Sequence, residues 1–180
     1  MTAELSPTVP AALPEKLRMT AAELRRFLSQ PRVAVLSWVT LNGEVGSSPV
    51  WFRYQDGLFL LHTAHPSPKT RAIVKNDRVS LLIQDTTPPY RYVSVRGRAR
   101  IRFEREQARR LYKEQARAYY GPLTGAAYFW YGGRLANGSA GSKQEVIVEI
   151  TPAKMTAMNG VAALSGPLRF ALRAARALKL

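Results

Sequence analysis

The chain has 180 residues, of which 46% are hydrophobic and 22% are charged, and it contains no cysteine. This length suits one domain with a proper core, and the composition argues against wholesale disorder. The lack of cysteine excludes disulfides, thiolate metal sites and cysteine nucleophiles, and two histidines are too few for a usual zinc site. The 27 lysines and arginines against 12 acidic residues give a net charge of +15, which predicts an anionic partner: nucleic acid, acidic lipid or a small polyanion.

The chain also lacks the usual targeting patterns. No apolar run approaches the roughly 20 residues that a membrane helix needs, and the amino terminus lacks the basic region and compact apolar core of a secretory signal. We therefore expect a cytoplasmic protein. Composition divides the chain into a flexible arm over residues 1–18, one domain over 19–160, and a basic helix within 161–180 that places Arg169, Arg173 and Arg176 on one face.

The first half of the chain predicts short strands joined by tight turns. A helix over residues 20–28, capped by Thr20, precedes them. Three strands over 32–40, 45–54 and 58–63 form an antiparallel meander, with Asn42-Gly43 as the first turn and residues 55–57 as the second. The strand over 32–40 is apolar on both faces, which fits a closed barrel packed against helices or another subunit.

The second half continues the same pattern. A helix over residues 67–76 is followed by strands over 79–84 and 90–103, a helix over 104–120 and a last strand over 144–151. Residues 121–143 hold six glycines and the aromatic run Tyr128 to Tyr131, so we interpret them as a loop, either a lid or a packed connection. The sequence thus predicts a mainly β fold of the α+β class, with six antiparallel strands and flanking helices.

One short segment predicts an anion-binding site. Ser67-Pro68 favours a helix start directly before Lys69 and Arg71, so backbone N–H groups and two cations converge there. Cations in a first turn oppose the helix dipole, which favours a bound anion over the alternative of a solvated first turn. The preceding strand offers Trp51 and Phe52 as a surface for a flat ring, although alternation places one of them in the core. Together these residues indicate a site for a phosphorylated aromatic cofactor.

A second cationic pattern lies on the strand over residues 90–103. Period-2 geometry places Arg96, Arg98, Arg100 and Arg102 on one face, where four like charges repel. One interpretation is a solvated face, offset for at least two of the four by nearby acids such as Glu104 and Glu106. The other is a groove for an anionic ligand tail that arginines bind through paired hydrogen bonds.

Residues 32–101 resemble the pyridoxamine 5'-phosphate oxidase-like split β-barrel superfamily, and most closely its flavin- and deazaflavin-dependent oxidoreductase branch. The matching pieces, in order, are VAVLSWVTLNGEVGSSPVWFRY, LFLLHTA, KTRAIVKNDRVSLLIQD and PPYRYVSVRGRARI. They cover about seventy residues and are specific at the level of the superfamily. The carboxy-terminal third matches only in outline.

The resemblance implies a six-stranded antiparallel split β-barrel that forms a homodimer with two cofactor sites at the interface. In such proteins the strand with Ser48, Pro49, Val50 and Trp51 backs the isoalloxazine or deazaflavin ring. The phosphate is held at the positions of Lys69, Thr70 and Arg71, with Thr63 near it. This chain departs from many relatives at Ser67, where they carry a basic residue, and at Ala72, where they carry asparagine.

The first functional hypothesis is a flavoprotein oxidoreductase that passes hydride or electrons between its cofactor and a small organic substrate. The sequence identifies neither a catalytic residue nor the substrate. Coenzyme F-420 is favoured over FMN because its acidic tail suits Arg96 and Arg98. The alternative is a non-catalytic carrier of flavin, haem or another tetrapyrrole. A nucleic-acid or membrane-surface binder is less favoured, because the basic residues are spread over several elements without a recognisable motif.

Overall fold

The structure, a computed structural model, contains seven strands with four helices interspersed between them along the chain. The structure describes residues 13–138, 144–164, 166–168 and 170–171, and for residues 131–138 only the backbone. The strands are β1 (Ala34–Val39), β2 (Val45–Val50), β3 (Arg53–Gln55), β4 (Leu58–His65), β5 (Arg78–Gln84), β6 (Arg91–Arg102) and β7 (Gln144–Asn159). The helices are α1 (Ala21–Leu28), α2 (Pro68–Lys75), α3 (Arg105–Tyr120) and α4 (Pro122–Gly138), with short 3-10 turns at Glu15–Leu17 and Gly160–Ala163.

The seven strands form one antiparallel sheet in the order β2-β1-β5-β6-β7-β4-β3. A mainly β fold with flanking helices is therefore confirmed. The described residues form seven strands, so the expected number of six is wrong. In the order in which they are hydrogen-bonded, β2 and β3 are the two edge strands. Both antiparallel pairings of the expected meander are present, but its middle strand is not continuous: it breaks at Trp51 and Phe52, so that β2 pairs with β1 and β3 pairs with β4.

Two helices begin where local side-chain chemistry predicts. Thr20 caps α1 in a reciprocal arrangement with Glu23, and Ser67 caps α2 in the same way with Thr70, while Pro68 occupies the first turn of α2. Each arrangement satisfies backbone N–H groups that a helix start leaves free. The start of α2, which positions Lys69, is thus fixed by its own sequence.

The main core packs on the sheet, and a second, smaller cluster joins Ala108 and Leu111 of α3 to Ile147 of β7. Burial alternates on β1, where Ala34, Leu36 and Trp38 are buried, whereas Val35 and the preceding Val33 are 39% and 53% exposed. Buried residues from β1, β2, β4, β5, β6 and β7 belong to one cluster, together with Phe27 and Leu28 of α1 and Phe52. The second apolar face of β1, which the sequence led us to expect covered, is open in the single chain.

Most of the segment expected as a loop is helical. The helix α4 packs against α3, and a Cβ atom added at Gly125 would lie 2.3 Å from the carbonyl oxygen of Ala116. Glycine therefore serves close helix packing here, not a turn. Residues 139–143 of the expected loop lie outside the described residues, as do Arg169, Arg173 and Arg176 of the expected terminal helix, although 166–168 and 170–171 are helical. No helix in the described part of the chain could span a membrane.

Candidate cofactor-binding site

A cavity of about 360 Å³ lies beside the point where β2 ends. It contains four of the residues that the sequence proposed for the cofactor, drawn from two separate segments: Pro49, Val50, Trp51 and Lys69. The remaining lining residues are Val33, His62, Tyr112, Gln115 and Tyr128. The fold thus brings the proposed ring-binding strand and the proposed phosphate-binding lysine to one place.

The two aromatic residues after β2 take different environments. Phe52 is 5% exposed and belongs to the core, as alternation predicts for one of the pair. Trp51 lines the cavity, but its indole stacks on Tyr119 at 4.9 Å between ring centroids and lies nearly parallel to Tyr112 at 6.4 Å. The expected open surface for a ring on Trp51 is therefore partly occupied by tyrosines of α3.

The tyrosines of α3 and α4 were not singled out as site residues by the sequence. Besides those stacked on Trp51, Tyr120 and Tyr128 contact the same indole at 5.4 Å and 5.7 Å. Helical spacing in α3 already placed Tyr112 and Tyr119 on one face, which is the signal that could have linked them to the cavity. Aromatic side chains consequently close one side of the site.

Hydrogen bonds from α3 hold this helix against the sheet. The hydroxyl of Tyr119 donates to the backbone carbonyl of Arg32 at 2.6 Å and accepts from the backbone N–H of Phe52 at 3.2 Å. The buried side chain of Gln115 donates from Nε2 to the carbonyl of Leu60 at 3.2 Å. These contacts fix α3 across β1, β4 and the β2–β3 link, so the cavity wall is rigidly placed.

Lys69 is the cation of the cavity. Its side chain is half-buried, and burial holds its pKa below the usual range. Among the residues that the structure describes, no aspartate or glutamate lines the cavity and none forms an ion pair with Lys69. The cavity therefore carries an unneutralised positive charge, which suits a phosphate or carboxylate ligand.

His62 on β4 is the residue that sequence reasoning passed over, since it was interpreted as an ordinary strand-end histidine. Its ring stacks on Tyr112 at 4.4 Å with an interplanar angle of 17°, and its Nε2 is buried with no hydrogen-bond partner in the described structure. Burial, and to a lesser extent the charge of Lys69, lowers the pKa of His62 to about 4. Alternation on β4, which places His62 on the same face as Leu60, was the available signal.

The other proposed residues near the start of α2 do not line the cavity. Thr70 is fully buried, and its hydroxyl accepts from the Ser67 backbone N–H at 2.9 Å and lies 3.0 Å from Nδ1 of His65. Arg71 is exposed, and Thr63 is half-buried on β4 opposite Val146. The Thr70 hydroxyl is therefore already used in shaping the helix start.

Ser48, proposed with the ring-binding strand, lies opposite Leu36 on β1. Its hydroxyl is buried without a hydrogen-bond partner in the described structure, and it does not line the cavity. Buried hydroxyls without a partner are uncommon in native proteins. We have no structural explanation for this one.

Arg96 and Arg98 line a different cavity, of about 490 Å³, together with Arg78 and the apolar side chains of Val39 and Val45. This second cavity shares no lining residue with the Lys69 cavity. Within one chain the structure therefore does not bring these arginines to Lys69.

Acids offset three of the four β6 arginines. Arg98 donates to both carboxylate oxygens of Asp77 at 2.9 Å. Arg100 and Arg102 both bind the buried Glu149. Arg102 also binds Glu104, as the sequence led us to expect. Arg96 has no ion-pair partner within the described ranges, and Glu106, the other acid that we expected, forms no ion pair there either.

The sequence model of the pyridoxamine 5'-phosphate oxidase family matches residues 20–159. The chain belongs to this family, and the superfamily resemblance seen in the sequence is confirmed. None of the curated proteins matches the chain.

Solved structures share the fold. The conserved hypothetical protein Rv2991 from Mycobacterium tuberculosis superposes with a TM-score of 0.70 at 24% identity, covering 86% of this chain and 94% of the other. An F-420 reductase gives a TM-score of 0.56 at 23% identity, with coverage of 73% and 94%. A FAD-binding protein from Mesorhizobium loti gives 0.51 at 17% identity, with coverage of 78% and 94%.

Proposed function

We propose that the protein is an oxidoreductase that binds a phosphorylated flavin-type cofactor in the Lys69 cavity and passes hydride to or from a small organic substrate. The observation that carries this proposal is the half-buried Lys69, in a cavity whose described lining contains no acidic residue and is otherwise apolar and aromatic apart from Gln115. The similarity to an F-420 reductase and to a FAD-binding protein supports a cofactor of this class.

The donor set of the cavity fits such a cofactor. Lys69 would bind a phosphate oxygen, and Val33, Pro49 and Val50 would pack against a flat ring. When bound, the cofactor supplies the hydride chemistry. Trp51 with its stacked tyrosines would exclude water from that side of the ring.

We propose coenzyme F-420 as the cofactor, with FMN as the alternative. F-420 is favoured because its acidic tail suits the arginines of β6, which within one chain line a different cavity from Lys69 and would meet the tail across the proposed dimer interface. Asp77 and Glu149 already offset Arg98 and Arg100, so Arg96 is the arginine that best supports this choice. A non-catalytic carrier of flavin or haem remains the alternative on the same fold.

We further propose that the sheet closes into a split β-barrel. The chain passes from β2 to β3 through Trp51 and Phe52 alone. Three extended residue steps span about 10 Å, whereas the two edges of a flat seven-stranded sheet would lie roughly 29 Å apart. The covalent link therefore requires the edges to approach each other there.

The open face of β1 supports a homodimer with its cofactor sites at the interface. Val33, Val35, Val45 and Leu82 are between 36% and 77% exposed, and β1 pairs with β2 and β5, which carry two of them. An apolar sheet face of this kind marks an interaction surface, and a two-fold pairing would cover it on both subunits.

The dimer is tested by light scattering at low micromolar concentration. We expect Val45→Asp to dissociate it, because burying an unpaired carboxylate is unfavourable. Val74→Asp, at an exposed position of α2, should leave it intact. A parent protein that is a clean monomer and still binds cofactor would contradict a shared site.

Cofactor binding is tested by titrating the parent and Lys69→Ala with F-420, FMN and haem, followed by fluorescence and absorbance. We expect a flavin-type cofactor to bind in the micromolar range or tighter, and Lys69→Ala to weaken it by about 1.5–3 kcal/mol, as for a charge-assisted contact. Lys75→Ala at the end of α2 is the matched control, because Lys75 does not line the cavity. Equal binding by Lys69→Ala and the parent would refute the phosphate assignment.

Binding alone does not separate a reductase from a carrier. Reduced cofactor on the protein is therefore mixed with candidate organic acceptors and its oxidation is followed. An oxidoreductase oxidises the cofactor faster when an acceptor is present. A carrier shows the same rate in every case.

A further inference from the structure

We propose that His62 is a second anion-binding side chain of the Lys69 cavity, which takes up a proton when a phosphate group binds and donates a hydrogen bond from Nε2 to one of its oxygens. This inference rests on the proposed function, because it concerns the same cavity. It adds a residue to which neither the sequence nor the family comparison assigns a role.

The geometry of the imidazole favours a ligand beside it. His62 and Lys69 come from β4 and α2 and line the same cavity. The imidazole is held by stacking on Tyr112 at 4.4 Å, so its orientation is defined. Its Nε2 is nevertheless buried without a partner among the described residues, and leaving a buried polar atom unpaired is unfavourable. Because His62 itself lines the cavity, a ligand oxygen beside the imidazole would satisfy this atom once the side chains that cover it shift.

The charges around the imidazole favour an anion as that ligand. The side chains that line the cavity with it are Lys69 from α2, Tyr112 and Gln115 from α3 and Tyr128 from α4. No carboxylate is among the described lining residues, although Glu145 of β7 is close enough to act on Tyr112. Burial first, and then the neighbouring Tyr128, Glu145 and Tyr120, raise the pKa of Tyr112 to about 12, so this hydroxyl stays neutral and does not attract a proton to His62.

In the free protein His62 is therefore neutral at physiological pH, because burial and Lys69 both oppose its positive charge. A bound phosphate monoester, such as that of FMN, brings about −1.5 to −2 charges near pH 7. That charge offsets Lys69 and attracts the imidazolium directly, so it favours protonation of His62. By linkage, protonation of His62 strengthens phosphate binding by the same factor.

The test uses the full chain labelled with ¹⁵N-histidine, and the probes are FMN and inorganic phosphate. The chain has two histidines, so the spectrum contains two ring systems, and His65→Gln assigns them. We expect the midpoint of the His62 titration to rise by about two pH units or more with either probe.

A second measurement compares FMN affinity of the parent and His62→Gln at pH 5 and pH 8. We expect the substitution to weaken binding about tenfold or more at pH 5, where the bound imidazole is charged, and less than about threefold at pH 8. The phosphate group itself titrates near pH 6, but it does so equally with both proteins. The difference between the two proteins therefore isolates His62.

The outcomes separate the two proposals. Lys69-dependent FMN binding with an unchanged His62 titration overturns this inference and leaves the proposed function standing. A His62 shift with inorganic phosphate but no binding of FMN or F-420 supports the inference and overturns the proposed function. If neither FMN nor inorganic phosphate binds, this inference is wrong, and if F-420 also fails to bind, the proposed function is wrong as well.

Discussion

The molecule has two cationic regions that differ in how their charge is offset. The β6 arginines are numerous and exposed, but three of the four have acidic partners in Asp77, Glu149 and Glu104. The Lys69 cavity holds a single lysine that is half-buried and has no such partner in the described part of the chain. Acidic side chains offset most of the positive charge on β6, whereas no acidic side chain among the described residues offsets the charge of Lys69.

This difference shows why net charge is a poor guide to a binding site. The alternation of arginines along β6 dominates the sequence, yet an exposed pair adds little to stability or to attraction. One desolvated cation without a counter-ion produces a stronger local electrostatic potential than exposed ion pairs do, because the low-dielectric walls of the cavity screen its charge less. The weaker pattern in the sequence therefore marks the stronger candidate site.

The largest expected effect is the loss of stability when Glu149, an acid that offsets the β6 arginines, is replaced. Glu149→Gln should lower the free energy of unfolding by about 2 kcal/mol, because its side chain is 4% exposed and the substitution leaves two guanidinium groups without their carboxylate. Asp77→Asn is the control, since the pair with Arg98 is 43% and 66% exposed at its two side chains and should contribute less than about 1 kcal/mol. Urea unfolding measures both, and equal effects would contradict the comparison.

The effect of Glu149→Gln should also depend on pH. Burial alone would raise the pKa of Glu149, but hydrogen bonds from Arg100 and Arg102 outweigh it and lower the pKa below its usual value. A carboxylate with a lowered folded pKa contributes stability above its unfolded pKa, near 4.3, and loses it as the pH falls through the folded value. The difference between parent and variant should therefore be full at pH 7 and shrink below about pH 4.

Local patterns predicted most of the fold. Thr20 and Ser67 predict the helix starts through side-chain caps contained within four residues, and alternation on β6 gives its correct buried and exposed faces. The same alternation separated the core Phe52 from Trp51. These features depend on neighbours in the sequence, so the sequence suffices to predict them. The strand β1 is apolar on both faces, so its pattern did not predict which face stays open.

The failures have different causes. The break at Trp51 and Phe52 is missed when residues 45–54 are interpreted as one strand, although Arg53–Gln55 pairs with β4 across a tight turn and Val45–Val50 pairs with β1. The glycine-rich composition of residues 121–143 indicates a loop, whereas Gly125 packs against the backbone of Ala116 in α3. His62 and the tyrosines of α3 have local signals in strand alternation and helical spacing, but their meeting depends on the packing of α3 across β4, which no local pattern shows.

A smaller effect is expected on cofactor binding, and it compares two arginines within β6 itself. Arg96 has no acidic partner in the described ranges, whereas Arg98 binds Asp77. If F-420 is the cofactor and its acidic tail reaches this strand, Arg96→Gln should weaken F-420 binding about three- to tenfold, and Arg98→Gln should weaken it less, because Asp77 already offsets that charge. Fluorescence titration measures both. FMN binding should change little, and equal losses for both cofactors would assign these arginines to the solvated surface.

The smallest expected effect concerns Lys69 in the free protein. Because burial lowers its pKa, the charged lysine is less stable in the folded chain than in the unfolded one. Lys69→Met keeps the apolar stem and removes the charge, so it should raise the free energy of unfolding at pH 7, by less than about 1 kcal/mol since the side chain is only half-buried and solvent screens it. Lys75→Met, at the exposed end of α2, is the control and should change stability less.

The pH dependence of the stability difference tests whether the charge of Lys69 destabilises the folded chain. A lysine with a lowered folded pKa destabilises the chain fully below that pKa, and the penalty disappears as the pH rises above the unfolded value near 10.4. The stability difference between Lys69→Met and the parent should therefore be constant through neutral pH and vanish in alkaline solution. Thermal unfolding from pH 7 to pH 11 measures it. A parent more stable than Lys69→Met at pH 7 would mean that Lys69 is stabilised by the folded chain, and the cavity would then lack the unneutralised charge that distinguishes it from β6.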